Sequence, residues 1–329
     1  MKGRKKLLSI VVVITVLIAI MPMNFLANAD DPIEISSYDD LQKIGKDEGF
    51  PLDGDYKLAN NIANNNDNVT WLPIGTKDAP FTGKFDGNGN TISNLRILYS
   101  IPPQGGGIVP TPIEDVGMFG YVGLSGEISN LTIVSSTFVE VKAKSPSTVG
   151  FIAGNNKGTI KGCAVVNSNI TTEIVFPSAI GGIAGANGGT IEKCYNASDI
   201  LIGFQIPPTA LVGGIVGRNE LVSPATTEPS APAVLATVKN CFNVGSLSMK
   251  TNNQEIEVTR LGGIAGGNYG EIENTYNAGV LSGGSYAGNI TGYQDNSNGS
   301  DIKTSYYHES IDLGTFDRSA SKSTKLTVA

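Results

Sequence analysis

Histidine is almost absent from this 329-residue chain, and its one copy, His308, limits the chemistry available. His308 is followed by Glu309 and Ser310, so no H-E-x-x-H sequence places two zinc-binding imidazoles on one helix face. No G-x-S-x-G turn supplies a serine nucleophile to pair with it. The sequence therefore predicts neither a zinc peptidase nor a histidine-based triad, and no cofactor. We expect His308 to lie in an exposed loop.

Charged residues are also sparse, at 16% of the chain, with 23 Lys and Arg against 30 Asp and Glu. The formal net charge is −7, and the basic residues form no stripe apart from a cluster at the start. Nucleic-acid phosphates require a basic surface, so we expect no nucleic-acid partner. An acidic surface also keeps an exported protein soluble.

Long apolar runs occur only near the amino terminus, from Leu7 to Met21. This run follows Lys2, Arg4, Lys5 and Lys6 and precedes Ala27-Asn28-Ala29, the arrangement of a secretory signal peptide. Cleavage between Ala29 and Asp30 would leave 19 Lys and Arg against 30 Asp and Glu, a net charge of −11. A membrane anchor is the alternative, although a span needs about 20 residues. We predict a secreted or cell-surface protein that is not integral to the membrane.

What the chain has in abundance is glycine, 41 residues, and a repeat that glycine punctuates. The first repeated unit, called here the φ-Gly unit, is an apolar residue followed by Gly-x-φ-x-Gly, as in Ile180-Gly181-Gly182-Ile183-Ala184-Gly185. In this pattern the letter φ stands for any apolar residue. The glycines that mark these units are Gly117, Gly120, Gly150, Gly154, Gly182, Gly185, Gly214, Gly217, Gly263 and Gly266. We expect these glycines at tight corners, where the backbone dihedral angle φ is positive or where two backbone segments approach closely.

A second unit follows each copy of the first, with the pattern I-x-[N/K/G]-[C/L/T]. Its copies begin at Ile92, Ile128, Ile160, Ile191, Val238, Ile272 and Ile302. Short apolar segments at a fixed period cannot bury their own faces and must stack on their neighbours. The repeat therefore predicts an all-β fold, a right-handed parallel β-helix of about seven coils spaced about 4.8 Å apart.

The three cysteines occupy one slot of the second unit, at Cys163, Cys194 and Cys241. Two interpretations remain open. A buried ladder of thiols fits the repeat position, whereas an exported chain with several cysteines also suggests a Cys163–Cys194 disulfide. A metal site is not expected, because neither histidine partners nor CxxC spacing accompany them.

The ends of the repeat region differ from its middle. Ser37 followed by Asp39 and Asp40 reads as a helix start, and an open solenoid end needs a cover. We predict a signal peptide at 1–29, a small α/β cap at 30–80 that packs Trp71, the β-helix at 81–310, and a tail or cap at 311–329.

The segments Gly182-Ile183-Ala184-Gly185, Gly214-Ile215-Val216-Gly217 and Gly263-Ile264-Ala265-Gly266 resemble the GLUG motif of bacterial surface proteins. The block from Leu72 to Gly75 and that from Pro80 to Leu95 match the flanks of the motif, and the likeness extends over about 33–310. Such repeats occur in adhesin-like proteins and beside the catalytic domain of peptidases of the IgA1-protease type. The resemblance implies a secreted or wall-associated β-helix and no particular activity.

Enzymes that degrade polysaccharides also use parallel β-helices and need clustered carboxylates. The acidic residues at comparable positions are scattered: Asp115, Glu127, Glu192, Asp199, Glu271 and Glu273. We therefore predict a non-enzyme, with a polysaccharide lyase or glycosidase as the alternative.

The Asp86–Asn90 and Asp295–Asp301 segments are interpreted as turns, not Ca²⁺ loops. An ice-binding array of threonines is not evident.

Variable loops, often containing proline, precede each φ-Gly unit. They cover 99–115, 142–148, 173–179, 203–211 and 250–260, and insertions on one face of a solenoid frequently form its binding surface. Tyr99, Phe176 and Phe204 are the candidate contact residues for a glycan or a host or cell-surface protein. The alternative is tolerated surface variation with partly buried rings.

Overall fold

A computed structural model describes residues 31–98, 100–101, 111–139, 148–172, 179–202, 210–222, 234–249, 259–283, 286–296, 299–311 and 323–326. Residues Ile33–Ala329 form one compact unit. Within these ranges no helix is both long and apolar enough to cross a membrane. The predicted signal peptide and its cleavage site at Ala29 and Asp30 lie outside the described residues.

Short strands dominate the described chain, with one six-residue α-helix and one 3₁₀ turn (Glu309–Ile311). In chain order the elements are β1 (Ile33–Ile35), α1 (Tyr38–Lys43), β2 (Asp55–Leu58), β3 (Ile62–Ala63), β4 (Lys84–Asp86), β5 (Thr91–Ser93), β6 (Arg96–Leu98), β7 (Ser100–Ile101), β8 (Thr111–Pro112), β9 (Asp115–Val116), β10 (Phe119–Val122), β11 (Glu127–Ser129), β12 (Thr132–Val134), β13 (Thr137–Val139), β14 (Thr148–Gly150), β15 (Ala153–Asn156), β16 (Thr159–Lys161), β17 (Ala164–Thr172), β18 (Ala179–Gly181), β19 (Ala184–Asn187), β20 (Thr190–Glu192), β21 (Tyr195–Ile202), β22 (Leu211–Gly213), β23 (Val216–Asn219), β24 (Leu221–Val222), β25 (Val234–Leu235), β26 (Thr237–Lys239), β27 (Phe242–Asn243), β28 (Leu247–Met249), β29 (Arg260–Gly262), β30 (Ala265–Asn268), β31 (Glu271–Glu273), β32 (Tyr276–Asn277), β33 (Leu281–Ser282), β34 (Tyr286–Gly288), β35 (Asp301–Lys303), β36 (Ser305–His308) and β37 (Ser323–Leu326).

These strands form four parallel sheets, in each of which a strand pairs with its equivalent one repeat later. Sheet A has the order β1-β2-β4-β11-β16-β20-β26-β31-β35, and sheet C the order β10-β15-β19-β23-β30. Sheet B follows β3-β5-β12-β17-β21-β27-β32-β36-β37, and sheet D follows β34-β29-β22-β18-β14-β9. Two antiparallel pairs, β7–β8 and β24–β25, stand apart. The all-β prediction is confirmed, and the parallel stacking is consistent with a β-solenoid.

The core is a set of apolar ladders that run through the stacked repeats. Ile160 pairs with Ile191, Ile191 with Val238, and Val238 with Ile272, and all four side chains are fully buried. Buried and outward residues alternate along each three-residue strand, so one central isoleucine or valine per strand is enough to form a continuous buried ladder. This ladder confirms the expectation that the short apolar segments of the second unit stack on their neighbours.

Left-handed backbone occurs at one corner of each described repeat, at the third position of the second unit. The residues there have φ between 45° and 63°: Asn94, Asn130, Gly162, Lys193, Asn240, Asn274 and Thr304. Asparagine tolerates this conformation better than most residues, which explains its recurrence in I-x-N. The variable third position of the second unit is therefore the corner that needs positive φ.

The glycines of the φ-Gly units serve the other purpose expected of them, close approach. A Cβ on Gly185 would lie 2.4 Å from the backbone nitrogen of Val149, and one on Gly217 would lie 2.4 Å from that of Ile180. At these glycines the strands of sheets C and D approach too closely for a side chain to fit between them. A Cβ on Gly214 would lie 2.3 Å from Cγ of Asn243, so Gly214 leaves the space that this buried asparagine side chain occupies.

Two ladders of buried asparagine amides run through the repeats. In one, Nδ2 of each residue donates to the side-chain oxygen of the next, from Asn156 through Asn187, Asn219 and Asn268 to Gln294, at 2.8–2.9 Å. In the other, Asn196, Asn243 and Asn277 are joined at 2.8 and 2.9 Å. All seven asparagines are fully buried, and the ladders satisfy amides that would otherwise destabilise the core.

The cysteines lie in a column as the ladder interpretation requires. Cys163, Cys194 and Cys241 are all free thiols and all buried. Burial raises the pKa of the Cys163 and Cys194 thiols well above the ordinary value. The Cys163 amide nitrogen lies 3.4 Å from Sγ of Cys194, so the two cysteines are neighbours in the column, and the structure has no Cys163–Cys194 disulfide.

The amino-terminal region joins the sheets instead of standing apart from them. β1 and β2 extend sheet A through β4, and β3 extends sheet B through β5. Helix α1 begins after Ser37, whose Oγ accepts a hydrogen bond from the Asp40 amide at 3.1 Å. Trp71 is buried, donates from Nε1 to the Met118 carbonyl at 2.9 Å, and meets Tyr38 edge-on. The boundary at residue 80 stays a prediction.

Candidate functional site

The three aromatic residues chosen from the sequence, Tyr99, Phe176 and Phe204, lie outside the described residues. Their predicted role as ligand contacts stays a prediction. What the structure describes is the strands from which their loops leave and to which they return.

The five variable loops return to one column of sheet D. Asp115, Thr148, Ala179, Leu211 and Arg260, the last residues of the loops, are paired in sequence from strand to strand. The residues before the loops are also in register, Leu98 with Val139 and Thr172 with Ile202 and Met249. We call this side of the molecule the loop-bearing flank. The sequence prediction that the loops share one side is supported by these described anchors.

An ion-pair network lies on the outer face of sheet C next to the loop returns. The Glu220 carboxylate forms an ion pair with the Arg218 guanidinium at 2.8 Å and a second ion pair with the Lys157 ammonium. The Lys157–Glu220 pair passes over Gly188, where a Cβ would lie 2.7 Å from Nζ of Lys157. Burial alone would raise the pKa of Glu220, but Lys157 and Arg218 outweigh it and hold the pKa below its ordinary value.

An arginine and two tyrosines form a cluster at the end of the last loop. The Arg260 guanidinium lies 4.2 Å from the centre of the Tyr293 ring, a cation–π contact. The Tyr269 ring lies 5.5 Å from that of Tyr293 at an angle of 46°. All three side chains are partly exposed, and Arg260 has no carboxylate partner among the described residues. A guanidinium held flat on a ring keeps its N–H edge free for hydrogen bonds to a ligand.

A cavity of about 650 Å³ lies at the return of the first loop. Leu72, Pro73 and Ile113 supply its apolar lining, and Lys46, Lys77, Asp78, Glu114 and Asp115 its charged lining. Thr148 Oγ1 donates to Asp115 Oδ1 at 2.6 Å, but desolvation outweighs this bond and raises the pKa of Asp115. Apolar walls with a few converging polar groups are typical of small-ligand sites.

Metal-binding groups are not concentrated anywhere in the part of the chain that the structure describes. No three His, Cys, Asp or Glu side chains there come close enough to hold an ion. The outer face of sheet C and the adjoining loop returns offer ring faces, guanidinium donors and carboxylate acceptors to a ligand.

The prediction for His308 was wrong. His308 ends strand β36, is partly buried, and places Nδ1 2.7 Å from Oγ of Ser310. It is strand, not loop, because β37 pairs with β36 along its whole length, opposite Leu326 at the His308 position. This later strand supplies backbone partners that the repeat pattern did not anticipate.

The sequence analysis missed Arg260, Tyr269 and Tyr293 as candidate contacts. Tyr269 directly follows Asn268 of the asparagine ladder, and Arg260 ends a loop. Aligning the repeats on the buried asparagine would have placed Tyr269 on the outer face of sheet C, whereas Arg260 begins strand β29 of sheet D. The cation–π contact itself joins different repeats and is not visible in either one alone.

Comparison with known proteins shows a likeness in sequence and a likeness in structure. No protein-family model matches the chain. Over 138 residues, 40% of the chain, it is 35% identical to halomucin of Haloquadratum walsbyi (strain DSM 16790 / HBSQ001), and the chain spans about 1% of that protein's length. The structure of this chain is similar, at a TM-score of 0.58 and 19% identity, to a crystal structure of a "putative immunoglobulin A1 protease from Bacteroides ovatus".

The structural likeness covers 91% of this chain and 84% of the Bacteroides ovatus protein. At 19% identity it shows a shared fold and nothing of activity. It agrees with the resemblance to the repeat region found beside such peptidases, whereas the GLUG motif is not supported by a family model.

Proposed function

We propose that this chain is a secreted or cell-surface binding module, a right-handed parallel β-helix of about seven GLUG-type coils that binds a glycan along the loop-bearing flank. The observation that supports this proposal is the column of loop returns, Asp115 to Arg260, which aligns the points where five variable loops rejoin sheet D. Variable loops held by a rigid scaffold are a common form of binding surface.

The side chains beside those loops favour a glycan as the ligand. Tyr269 and Tyr293 offer partly exposed rings, and Arg260 offers donors that fit the oxygens of a sugar or its acidic substituents. The similarity of part of the chain to halomucin is compatible with an exterior location. A host or cell-surface protein is the alternative ligand, and the experiment below separates the two.

The test is a glycan array probed with the protein purified after expression of the full chain. We expect binding to a restricted set of glycans, and Tyr293→Ala should weaken it about 30-fold, because a buried aromatic contact contributes ~2 kcal/mol. Lys161→Ala, on the outer face of sheet A, serves as the matched control and should bind as the parent does. A protein that binds no glycan, or a Tyr293→Ala variant with unchanged affinity, would contradict the proposal.

The competing function is a polysaccharide-degrading enzyme, which the cavity at Asp115 favours. Its carboxyl has a raised pKa, as a general acid requires, and Glu114 lines the same cavity. If the protein is an enzyme, incubation with polysaccharides should release new reducing ends or unsaturated products, and Asp115→Asn should abolish the release. We expect no product.

A further inference from the structure

Sheet B has an exposed apolar surface that the proposed binding function does not use. We call it the apolar patch and define it as Tyr195, Phe242, Val244, Tyr276, Val280 and Tyr306. Tyr195, Phe242, Tyr276 and Tyr306 are paired one to the next across four strands, so their rings form a single outward column. Phe242, Val244 and Val280 are 40%, 45% and 53% exposed, and among the described residues Leu124, at 79%, is the one other large apolar side chain with this degree of exposure.

The patch is rigid, because its strands are fixed from behind. Phe242 alternates with Asn243, whose buried amide accepts from Asn196 at 2.8 Å and donates to Asn277 at 2.9 Å. On the outside, the rings of Tyr195 and Phe242 stack with centres 4.8 Å apart and planes 2° from parallel. A surface held in this way loses little conformational entropy when it becomes buried.

The ring column also carries no charge, in contrast to the outer face of sheet A. There the equivalent outward column alternates in sign, Lys161, Glu192, Lys239, Glu273 and Lys303 in register. Contiguous exposed apolar surfaces often mark contact sites with other molecules.

We propose that the apolar patch is where a second copy of this chain binds, with the two sheet B faces together and related by a two-fold axis. Two acidic chains repel each other least where no like charges face across the contact, and the patch is such a surface. Its rows also repeat at the coil spacing, which only a partner with the same spacing matches along the whole column. A two-fold contact uses one surface twice, as most homodimers do.

The size of the patch sets the strength of this contact. Four paired strands at about 4.8 Å separation extend only about 14 Å along the stack. An interface of that length is smaller than those of permanent dimers, so the association should be weak and dependent on concentration. The patch is on sheet B and the proposed glycan contacts are on sheets C and D and the loops, so neither proposal depends on the other.

Sedimentation velocity over a wide range of concentrations tests the proposal with the protein purified after expression of the full chain. We expect a monomer–dimer equilibrium in the parent, and the double variant Phe242→Ser, Val280→Ser should raise the dimer dissociation constant at least tenfold. Leu124→Ser is the matched control, because Leu124 is 79% exposed but lies in the turn after β10. That control should dimerise as the parent does.

A cross-linking experiment gives a second test that does not depend on the double variant folding. The native thiols are buried, so a cysteine introduced by Val244→Cys is the reactive one. A short bifunctional thiol reagent should link two copies through Val244→Cys and should not link Leu124→Cys copies. A parent that stays monomeric at all concentrations, a dimer that the patch variants leave unchanged, or equal cross-linking at both positions would overturn the proposal.

Discussion

Asparagine and cysteine show how the same residue type is used for different purposes at different repeat positions. Asparagine forms the left-handed corners at Asn130, Asn240 and Asn274, where it is outward, and the buried ladders at Asn187 and Asn219. Cysteine fills a small buried slot, which Thr275 occupies in the following repeat. The backbone conformation and the burial of each slot decide which residues are accepted there.

The cysteine ladder predicts the thiol chemistry of the protein. Titration after denaturation without reductant should count three free thiols, and the native protein should react slowly, because burial raises the pKa of Cys163 and Cys194 and hides all three sulfurs. Val244→Cys supplies an exposed thiol as a positive control. A count of one free thiol would show that two cysteines are bridged.

The ion pairs of Glu220 predict a pH-dependent contribution to stability. Its folded-state pKa lies below the ordinary value of 4.5, so its stabilising effect is complete above that value and is lost as the pH falls through the folded-state pKa. Glu220→Gln should therefore melt below the parent at pH 7, and the two melting temperatures should converge in acid. Glu127→Gln, which removes a carboxylate without an ion pair to a described residue, should show no such convergence.

At the scale of elements, each strand has only two to nine residues and depends on its neighbours for burial. Ladders therefore behave as continuous elements that cross many strands. Ile191 lies in the middle of one, between Ile160 and Val238. Ile191→Asp should lower the free energy of unfolding by several kcal/mol, because it buries an unpaired charge. Thermal melting checks this, with Glu192→Asp on the outward side of the same strand as control.

The asparagine ladder is a second element of this kind. Asn219 accepts from Asn187 at 2.9 Å and donates to Asn268 at 2.8 Å. Asn219→Ala removes both bonds and leaves a buried amide without its acceptor, which should cost about 2 to 4 kcal/mol of unfolding free energy. Asn65→Ala, at an exposed site, should leave the midpoint of denaturant unfolding unchanged. Equal effects at the two sites would show that the ladder is not stabilising.

At the scale of the whole molecule, three outward surfaces differ in character: the charged face of sheet A, the apolar patch of sheet B, and sheet C with its adjoining loop-bearing flank. The charged face is solvated, and the other two are the proposed contact surfaces. Because the faces are distinct, a change on one should leave the interaction of another intact.

The loops themselves give the prediction at this scale. Replacing Phe176 and Phe204 by Ser should weaken glycan binding about 10³-fold if both rings contact the ligand, at ~2 kcal/mol each. The melting temperature should change little, because loop residues add few core contacts. A lower melting temperature with intact binding would instead show that the rings pack against the strands. Lys161→Ala again serves as the control for both measurements.

The sequence alone determined the repeat, the all-β class, the isoleucine ladder and the cysteine column. It could do so because burial alternates along each strand, and identical slots recur at nearly constant spacing. Tertiary structure decided what depends on contacts between repeats or between sheets. The amide chain from Asn156 to Gln294, the stacking of Tyr195 on Phe242 and the Arg260–Tyr293 contact each join residues from 26 to 49 positions apart. Sequence spacing shows that such residues share a side, whereas side-chain packing decides whether they touch.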